Sequence, residues 1–509
     1  MELSKEKSSH TQEDLSKEND TWWLEISHHL GAIYPFYAIE APEDFSLDIE
    51  HIINKRKKRG GVIELDPVGV VCKTCLPFLL GDRTLIKNIY RAPWMTHYKG
   101  QGKWTKANLP SHGHVNPDPV EFVNRLKKAL IEEAAKYIRN AKSVGILLSG
   151  GMDSRVVAGV VRELQISSGF PDRVIAITWG QPESRDVIYA SRIAERFGWE
   201  RQLFTLDAAT LLENIETAGR MGAEVSPLHL HAIPKIPELG GVDVILAGSY
   251  GDSVGRAEFS GRRVDKLKPI LSMVLDRFGL LRTSVLKETL SALREDAFQV
   301  QHLVREAPSL RQHEIEQEAH YMRRMLQACM VVIAKGRRFY QMFTAPSVFG
   351  LMWSLDPKIR NNDWYGHLLK ILPGDLLEIP WARTGRIYLK HDSAYDQTSR
   401  LYHEYGVWLR NDLRDLVVDR VNGSIVRGLG IFNDHGLDNA LKVWKMARTK
   451  TTNALDEVMS WLSSLHVFVE RNDLVLSGNY ERTVKDRMAA IKGWIHSEAY
   501  VLARNYVRE

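Results

Sequence analysis

Short apolar runs alternate with amphipathic stretches through the middle of the chain. After the text NPDP at Asn116 to Pro119, the side chains Phe122, Val123, Leu126, Leu130, Ala134 and Ile138 recur at helical spacing. Asp118 suits the N-cap of that helix and Pro119 its first turn. The runs SVGILL (Ser143 to Leu148), VIAITW (Val174 to Trp179), RQLFTL (Arg201 to Leu206) and VDVILA (Val242 to Ala247) read as strands. Ser154 to Leu164 and Arg185 to Phe197 read as helices between them. Near-continuous apolar strands separated by amphipathic helices predict a parallel sheet buried on both faces. From about Arg256 onward the pattern is helical throughout, with no repeat and no low complexity.

Before that region, the first twenty residues carry three apolar side chains among many charges, and a disordered tail is predicted over 1–20. The basic run Lys55, Arg56, Lys57, Lys58 and Arg59 precedes Gly60 and Gly61 and reads as a solvated turn. A strand is predicted over Val62 to Val71. The resulting division is 1–20 tail, 21–115 small β-containing domain, 116–395 α/β domain and 396–509 helical extension.

Composition narrows the class without naming an activity. With 509 residues, 44% of them apolar, the chain can fill large cores, and roughly two to four domains are expected at about 150 residues each. A formal net charge of +5 disfavours an obligate nucleic-acid binder, which needs a concentrated basic face. No run approaches the roughly 18 uninterrupted apolar residues of a spanning helix. Three cysteines and the lack of a signal-peptide core point to a reducing, cytoplasmic setting. Cys72 and Cys75 form a CxxC with no second pair, read as packing thiols in a strand rather than half a zinc site. His313, Glu316 and His320 share a helical face by spacing, but their charged neighbours favour a solvated face over metal ligation.

The chemistry concentrates where the first strand runs into Ser149-Gly150-Gly151-Met152-Asp153-Ser154 and then a helix. Glycines let an anion approach the main chain, and helix N-terminal N–H groups carry a partial positive charge. The string is neither a Walker A loop nor a GxGxxG. A carboxylate inside an anion cradle repels phosphate unless a cation bridges them, so Asp153 implies Mg²⁺ on the phosphates. An ordinary Gly-rich turn capped by Asp153 accounts for the glycines and the aspartate, but not for the full six-residue string at a sheet's C-terminal edge.

SGGMDS resembles the SGGxDS loop of the N-type ATP pyrophosphatases, or PP-loop enzymes, and the closest similarity is to the synthetase domain of asparagine synthetases. The second βα unit agrees through Asp186, Ala190, Ala194 and Gly198. Ile245 to Gly255, ILAGSYGDSVG, resembles the family's second acidic loop, with Asp252 at its metal-binding aspartate. Leu79 to Tyr98 is similar to the end of the preceding glutaminase domain, and Lys335 to Pro357 with Leu372 to Arg386 to the closing segment, so the resemblance implies a truncated glutaminase-like domain over 21–115 and an asparagine synthetase-like ATP pyrophosphatase domain over 116–395. The similarity spans roughly residues 65 to 395.

This resemblance implies an α/β fold of adenine nucleotide alpha-hydrolase type, a doubly wound parallel sheet with a helical C-terminal part. It implies an AMP- and pyrophosphate-forming carbon–nitrogen ligase using ATP and Mg²⁺, with a small-molecule carboxylate and an amine as substrates. By the same resemblance Asp153 and Asp252 bind the metal and act catalytically. Leu148, Ser149, Gly150, Gly151, Asp153, Ser154, Trp179, Gly180 and Gly248 hold ATP. A basic residue near the closing segment reaches pyrophosphate; Arg383, Arg386 and Lys390 stand there, and Arg383 is favoured because guanidinium can hold two phosphate oxygens.

Departures redirect part of this. The family's glutaminase uses a cysteine at its processed N-terminus, whereas this sequence begins Met1-Glu2-Leu3 and Cys72, Cys75 and Cys329 are internal. The expectation is therefore no glutamine hydrolysis, with nitrogen from ammonia, a separate glutaminase or an amine on the substrate. An ungapped reading puts Arg338 where relatives place a glutamate, beside Tyr340, and Ser253 follows Asp252 where asparagine synthetases have a glutamate. Alternatives are adenylation of a different acceptor, as in ring-closing or tRNA-modifying relatives, and a catalytically degenerate nucleotide binder. A homo-oligomer is compatible with the sequence.

Overall fold

Five parallel strands collect the apolar runs of the chain's centre. The computed structural model describes residues 22–300, 309–388, 390, 394–478 and 480–506; the charged stretch 1–20 lies outside them. Strands β1 (Phe36–Ala38), β2 (Ala41–Ser46) and β3 (Ile89–Arg91) form a small antiparallel sheet with β1 central. The main sheet is built from β4 (Ser143–Leu147), β5 (Arg173–Trp179), β6 (Glu200–Phe204), β7 (Val244–Ala247) and β8 (Arg338–Gln341), in the order β8-β7-β4-β5-β6. All four pairings are parallel. Every residue of β4 and β7 is buried, and because successive side chains point to opposite faces, both faces of the sheet are covered.

Helices α1 (Ile49–Lys58) and α2 (Pro67–Cys75) belong to the N-terminal part, α3 (Pro119–Ile138) leads into the sheet, and α4 (Met152–Ser168) and α5 (Arg185–Phe197) follow β4 and β5. Helix α3 starts as predicted: the Asp118 carboxylate accepts from the Glu121 N–H at 2.9 Å, and all six periodic apolar residues are buried. The chain steps outward from β4 to β5 and β6, then returns to place β7 on the other side of β4. The crevice above the C-terminal ends of β4 and β7 is thus a topological switch point, where open α/β sheets bind ligands.

Four expectations are corrected. The second half of the predicted strand over Val62 to Val71 is helix α2, because Asp66 caps the Val68 N–H at 2.9 Å and Pro67 occupies the first turn. Consecutive residues from Gly69 to Thr74 are buried, so it lacks the helical period that would have revealed it. Cys72 and Cys75 therefore sit in a helix, and burial pushes the Cys72 thiol up to about 12. The basic run forms the last turn of α1, where the helix dipole favours cations. Lys55 and Arg59 both pair with Asp44, Arg56 with Glu40, and Lys57 Nζ donates to the Asn472 carbonyl. The supposedly all-helical stretch after Arg256 contains β8, a four-residue strand that completes the sheet.

The fourth correction concerns HEIEQEAH. Glu314, Glu316, Glu318 and His320 are buried rather than solvated. Residues Gln317–Gln327 form a π-helix, whose i→i+5 bonding breaks the face that the 3.6 period projected. Glu314 pairs with Arg360 at 2.6 Å, Glu316 accepts from the Ile270 N–H at 3.0 Å, and His320 Nδ1 accepts from the Gly81 N–H at 3.0 Å. Among the described residues no cluster of three or more His, Cys, Asp or Glu side chains could hold a metal ion, and no helix is long and apolar enough to cross a membrane.

The C-terminal helices are packed against the rest of the chain. Helix α6 (Ala208–Arg220) lies against α7 (Ala454–Asn472), with Ser464 Oγ donating to the Ile215 carbonyl at 2.9 Å. Ile52, Leu65 and Phe78 from the N-terminal part share one apolar core with Trp444, Leu462 and Phe468. The preceding segment runs beside the loop after β5: the Arg185 N–H donates to the Ser399 carbonyl at 2.8 Å and the Gln181 N–H to the Tyr402 carbonyl at 2.9 Å. These bonds carry the Tyr402 side chain to the mouth of the switch-point crevice.

Candidate functional site

A cavity of about 410 Å³ opens at the C-terminal ends of β4, β5 and β7. Its lining includes Leu148, Ser149, Gly151, Asp153, Ser154, Trp179 and Gly248, seven of the residues singled out from the sequence. Gly150 and Gly180 stand outside that lining. The Gly150 N–H donates to Asp186 Oδ1 at 3.2 Å, and Gly180 adopts φ +138° as its N–H donates to the Phe204 carbonyl.

The loop is held open by its own hydroxyls. Ser154 Oγ donates to the Ser149 carbonyl at 3.0 Å and accepts from the Ser149 N–H at 3.2 Å, while the Gly151 N–H donates to Ser149 Oγ at 3.1 Å. Gly248 closes the opposite wall. A Cβ built there would lie 2.7 Å from the Asp153 carbonyl carbon and 2.8 Å from the Ser154 nitrogen, so only glycine lets β7 approach the start of α4. A Cβ on Gly251 would similarly meet Asp153 Cβ and Cγ at 2.7 Å. The second acidic loop therefore touches the first.

Arg155, one residue past the sequence motif, secures this arrangement. It is fully buried, and its guanidinium donates to the carbonyls of Gly150 (3.1 Å), Leu376 (3.0 Å), Ile379 (2.7 Å) and Pro380. Burial lowers its pKa to about 10. The segment it ties down carries Arg383, whose guanidinium pairs with Glu258 at 2.9 Å and lies 5.6 Å from the Trp381 ring. Arg383 is outside the cavity lining, on the side of the acidic residues.

Asp153 and Asp252 are brought together. Burial raises both carboxyl pKa values; Arg256 opposes the shift in each, and the charges of Asp252 and Glu258 add to it at Asp153. Asp153 Oδ2 accepts from Arg256 Nη2 at 2.9 Å, whereas Oδ1 is buried with no hydrogen-bond partner among the described residues. That orphaned carboxylate oxygen beside a second carboxylate fits a divalent cation, since Mg²⁺ is commonly held by one or two carboxylates with phosphate oxygens and water completing its shell.

An aromatic wall faces the glycine loop. His231 lines the cavity with a strained φ of +48°, its carbonyl accepting from Asn214 Nδ2 at 3.0 Å and its Nδ1 lying 3.1 Å from the Tyr405 hydroxyl. Its ring is stacked 6.0 Å from Trp179, and burial holds its pKa well below the ordinary histidine value. Tyr402 and Thr178 complete this side. Arg155 and Arg256 were visible as neighbours of the motifs, whereas His231 and Tyr402 carried no sequence signal because they arrive from separate segments.

Arg338 and Tyr340 do not join the site. Arg338 is paired with Val244 at the start of β7, the end of the sheet opposite the crevice, and Tyr340 stacks on Tyr137 at 3.7 Å. The residue that reaches the crevice end of β8 is Gln341, in register with Ala247. Strand direction overrides the ungapped reading that set Arg338 at a catalytic position. Ser253 is fully buried, its hydroxyl donating to the Tyr250 carbonyl.

Residues 125–336 match the family described as asparagine synthase, a stretch that includes both acidic loops. No curated protein matches the chain. Among solved structures, the U34-tRNA thiolase NcsA from Methanococcus maripaludis with its 4Fe-4S cluster is 15% identical, with a TM-score of 0.23, covering 66% of this chain and 85% of its own. NMN synthetase from Francisella tularensis is 14% identical, with a TM-score of 0.20, covering 49% of this chain and 94% of its own.

Proposed function

We propose that this chain, through its asparagine synthase domain, uses ATP to activate a carboxylate as an acyl-adenylate, releasing pyrophosphate, and passes the acyl group to ammonia or an amine. The observation that carries the reading is the glycine-walled crevice at the switch point with Asp153 and Asp252 together at its edge. In this reading the main chain at Leu148 and Trp179 holds adenosine, and Ser149, Gly151 and Ser154 hold phosphate oxygens. The β7 backbone at Gly248 presses the loop into shape.

Asp153 and Asp252 would hold Mg²⁺, which supplies charge neutralisation for the departing pyrophosphate. Arg383, released from Glu258, reaches pyrophosphate oxygens from the acidic side. Attack by the substrate carboxylate on the α-phosphorus forms one P–O bond as the bond to the β-phosphate oxygen breaks. The amine then displaces AMP and loses its proton. Lys55, Arg56, Lys57 and Arg59 each have a partner within the chain, which favours a small-molecule acceptor over tRNA.

ATP–pyrophosphate exchange screened over carboxylates, aspartate first, tests adenylation before the acceptor is known. Exchange that depends on one acid and is lost in Asp153→Ala is expected. Exchange that persists unchanged in Asp153→Ala refutes the assignment, and Mg-ATP binding without AMP formation from any acid would mark a nucleotide-binding protein instead.

A further inference from the structure

Arg256 stands beside the two acidic residues of the crevice. It ends the short helix Gly251–Arg256, four residues after Asp252, so the two side chains share a helical face. Across the crevice its Nη2 donates to Asp153 Oδ2 at 2.9 Å, and on the other side Nη1 donates to Asn362 Oδ1 at 3.1 Å. The guanidinium carbon lies 6.0 Å from the centre of the Tyr365 ring, whose hydroxyl donates to the Gly251 carbonyl at 2.6 Å. The Arg256 side chain is only 8% exposed and its Nε has no hydrogen-bond partner among the described residues.

Two half-buried carboxylates side by side are costly unless a cation compensates them. Here the chain supplies one itself, attached to the same loop as one of the carboxylates and bonded to the other. We propose that Arg256 is a positioning residue: a resident counter-ion that holds the Asp153–Asp252 pair in the nucleotide-free protein and makes divalent-metal binding depend on nucleotide. The inference rests on the reading of Asp153 and Asp252 as the metal ligands. A metal arriving alone must compete with a fixed positive charge a few ångströms away, and Coulomb repulsion in a largely buried site opposes it. A metal arriving with a triphosphate brings negative charge that satisfies guanidinium and metal together, so the penalty disappears.

The test is Mn²⁺ binding by electron paramagnetic resonance, with and without an ATP analogue carrying a methylene bridge between the α and β phosphorus atoms. Wild-type protein is expected to bind Mn²⁺ weakly alone and at least about tenfold more tightly with the analogue. Arg256→Gln is expected to bind Mn²⁺ alone at least about tenfold more tightly than wild type, and Arg256→Lys, which keeps the charge, to stay close to wild type. Arg256→Gln binding Mn²⁺ alone no better than wild type overturns the proposal. So does wild type binding Mn²⁺ equally well with and without the analogue, a measurement that needs no variant to fold. Asp153→Asn retaining full binding of Mn²⁺ with the analogue would instead remove the metal-ligand reading on which the inference stands.

Discussion

Replacing Gly248 by alanine is the sharpest probe of the crevice, because it disturbs one contact and removes no functional group. The new Cβ would lie 2.7 Å from the Asp153 carbonyl carbon, where ordinary contact begins at 3.4 Å, so β7 and the start of α4 must separate by roughly 0.7 Å. Both partners are backbone and cannot swing aside. Overpacking of this kind costs about 1–3 kcal/mol. If the displacement falls on the loop that receives phosphate, that cost becomes about five- to 150-fold weaker nucleotide binding, at about 1.4 kcal/mol per tenfold. The assay is equilibrium titration with a fluorescent ATP analogue, alongside Gly240→Ala, whose Cβ would meet nothing within 4 Å. Gly240→Ala is expected to bind as wild type. Gly248→Ala binding equally well would show that close approach of β7 to the loop does not shape the site.

Arg155→Met is expected to lose about 3 kcal/mol of stability in urea unfolding, at ~1 kcal/mol for each of the Leu376, Ile379 and Pro380 carbonyls left without its donor, the Gly150 carbonyl keeping the Ala382 N–H; a loss below ~1 kcal/mol would contradict the role assigned to it. Arg383→Ala is expected to lower pyrophosphate exchange about 10- to 100-fold while changing stability by less than ~0.5 kcal/mol, since its pair with Glu258 is partly exposed; unchanged exchange would dismiss it. His320 has its pKa lowered to about 3 by burial, so the unfolded chain takes up a proton below its ordinary 6.5 while the folded chain does not. Its contribution is intact above pH 6.5 and is lost as pH falls, amounting to about 2 kcal/mol at pH 5. Urea unfolding at pH 7.5 and 5.0 should show that acid-induced loss shrinking by this amount in His320→Gln, and an equal loss in both proteins would refute it.

The central sheet was legible because its signals are local. A five-residue apolar strand such as Ser143–Leu147, a cap such as Asp118-Pro119 and a string such as SGGMDS each fit within one segment, and backbone preference and burial act on that segment directly. The segments that misled were those whose surroundings outweigh their own period. Helix Pro67–Cys75 is buried nearly all round, residues 317–327 wind as a π-helix, and the four residues of β8 gain strand geometry only by pairing with β7.

Local text places the glycine loop and the two aspartates along the chain, each just after the end of a strand. What meets them depends on how distant segments pack. Strand order brings Gly248 against Asp153, and strand direction sends Arg338 to the far end of the sheet. Packing of the C-terminal segment delivers Tyr402 to the cavity wall, and the approach of the two acidic loops lays Arg256 on Asp153. These contacts join residues distant along the chain, so no local preference encodes them. They follow from how buried strands and helices satisfy their apolar faces and their charges together.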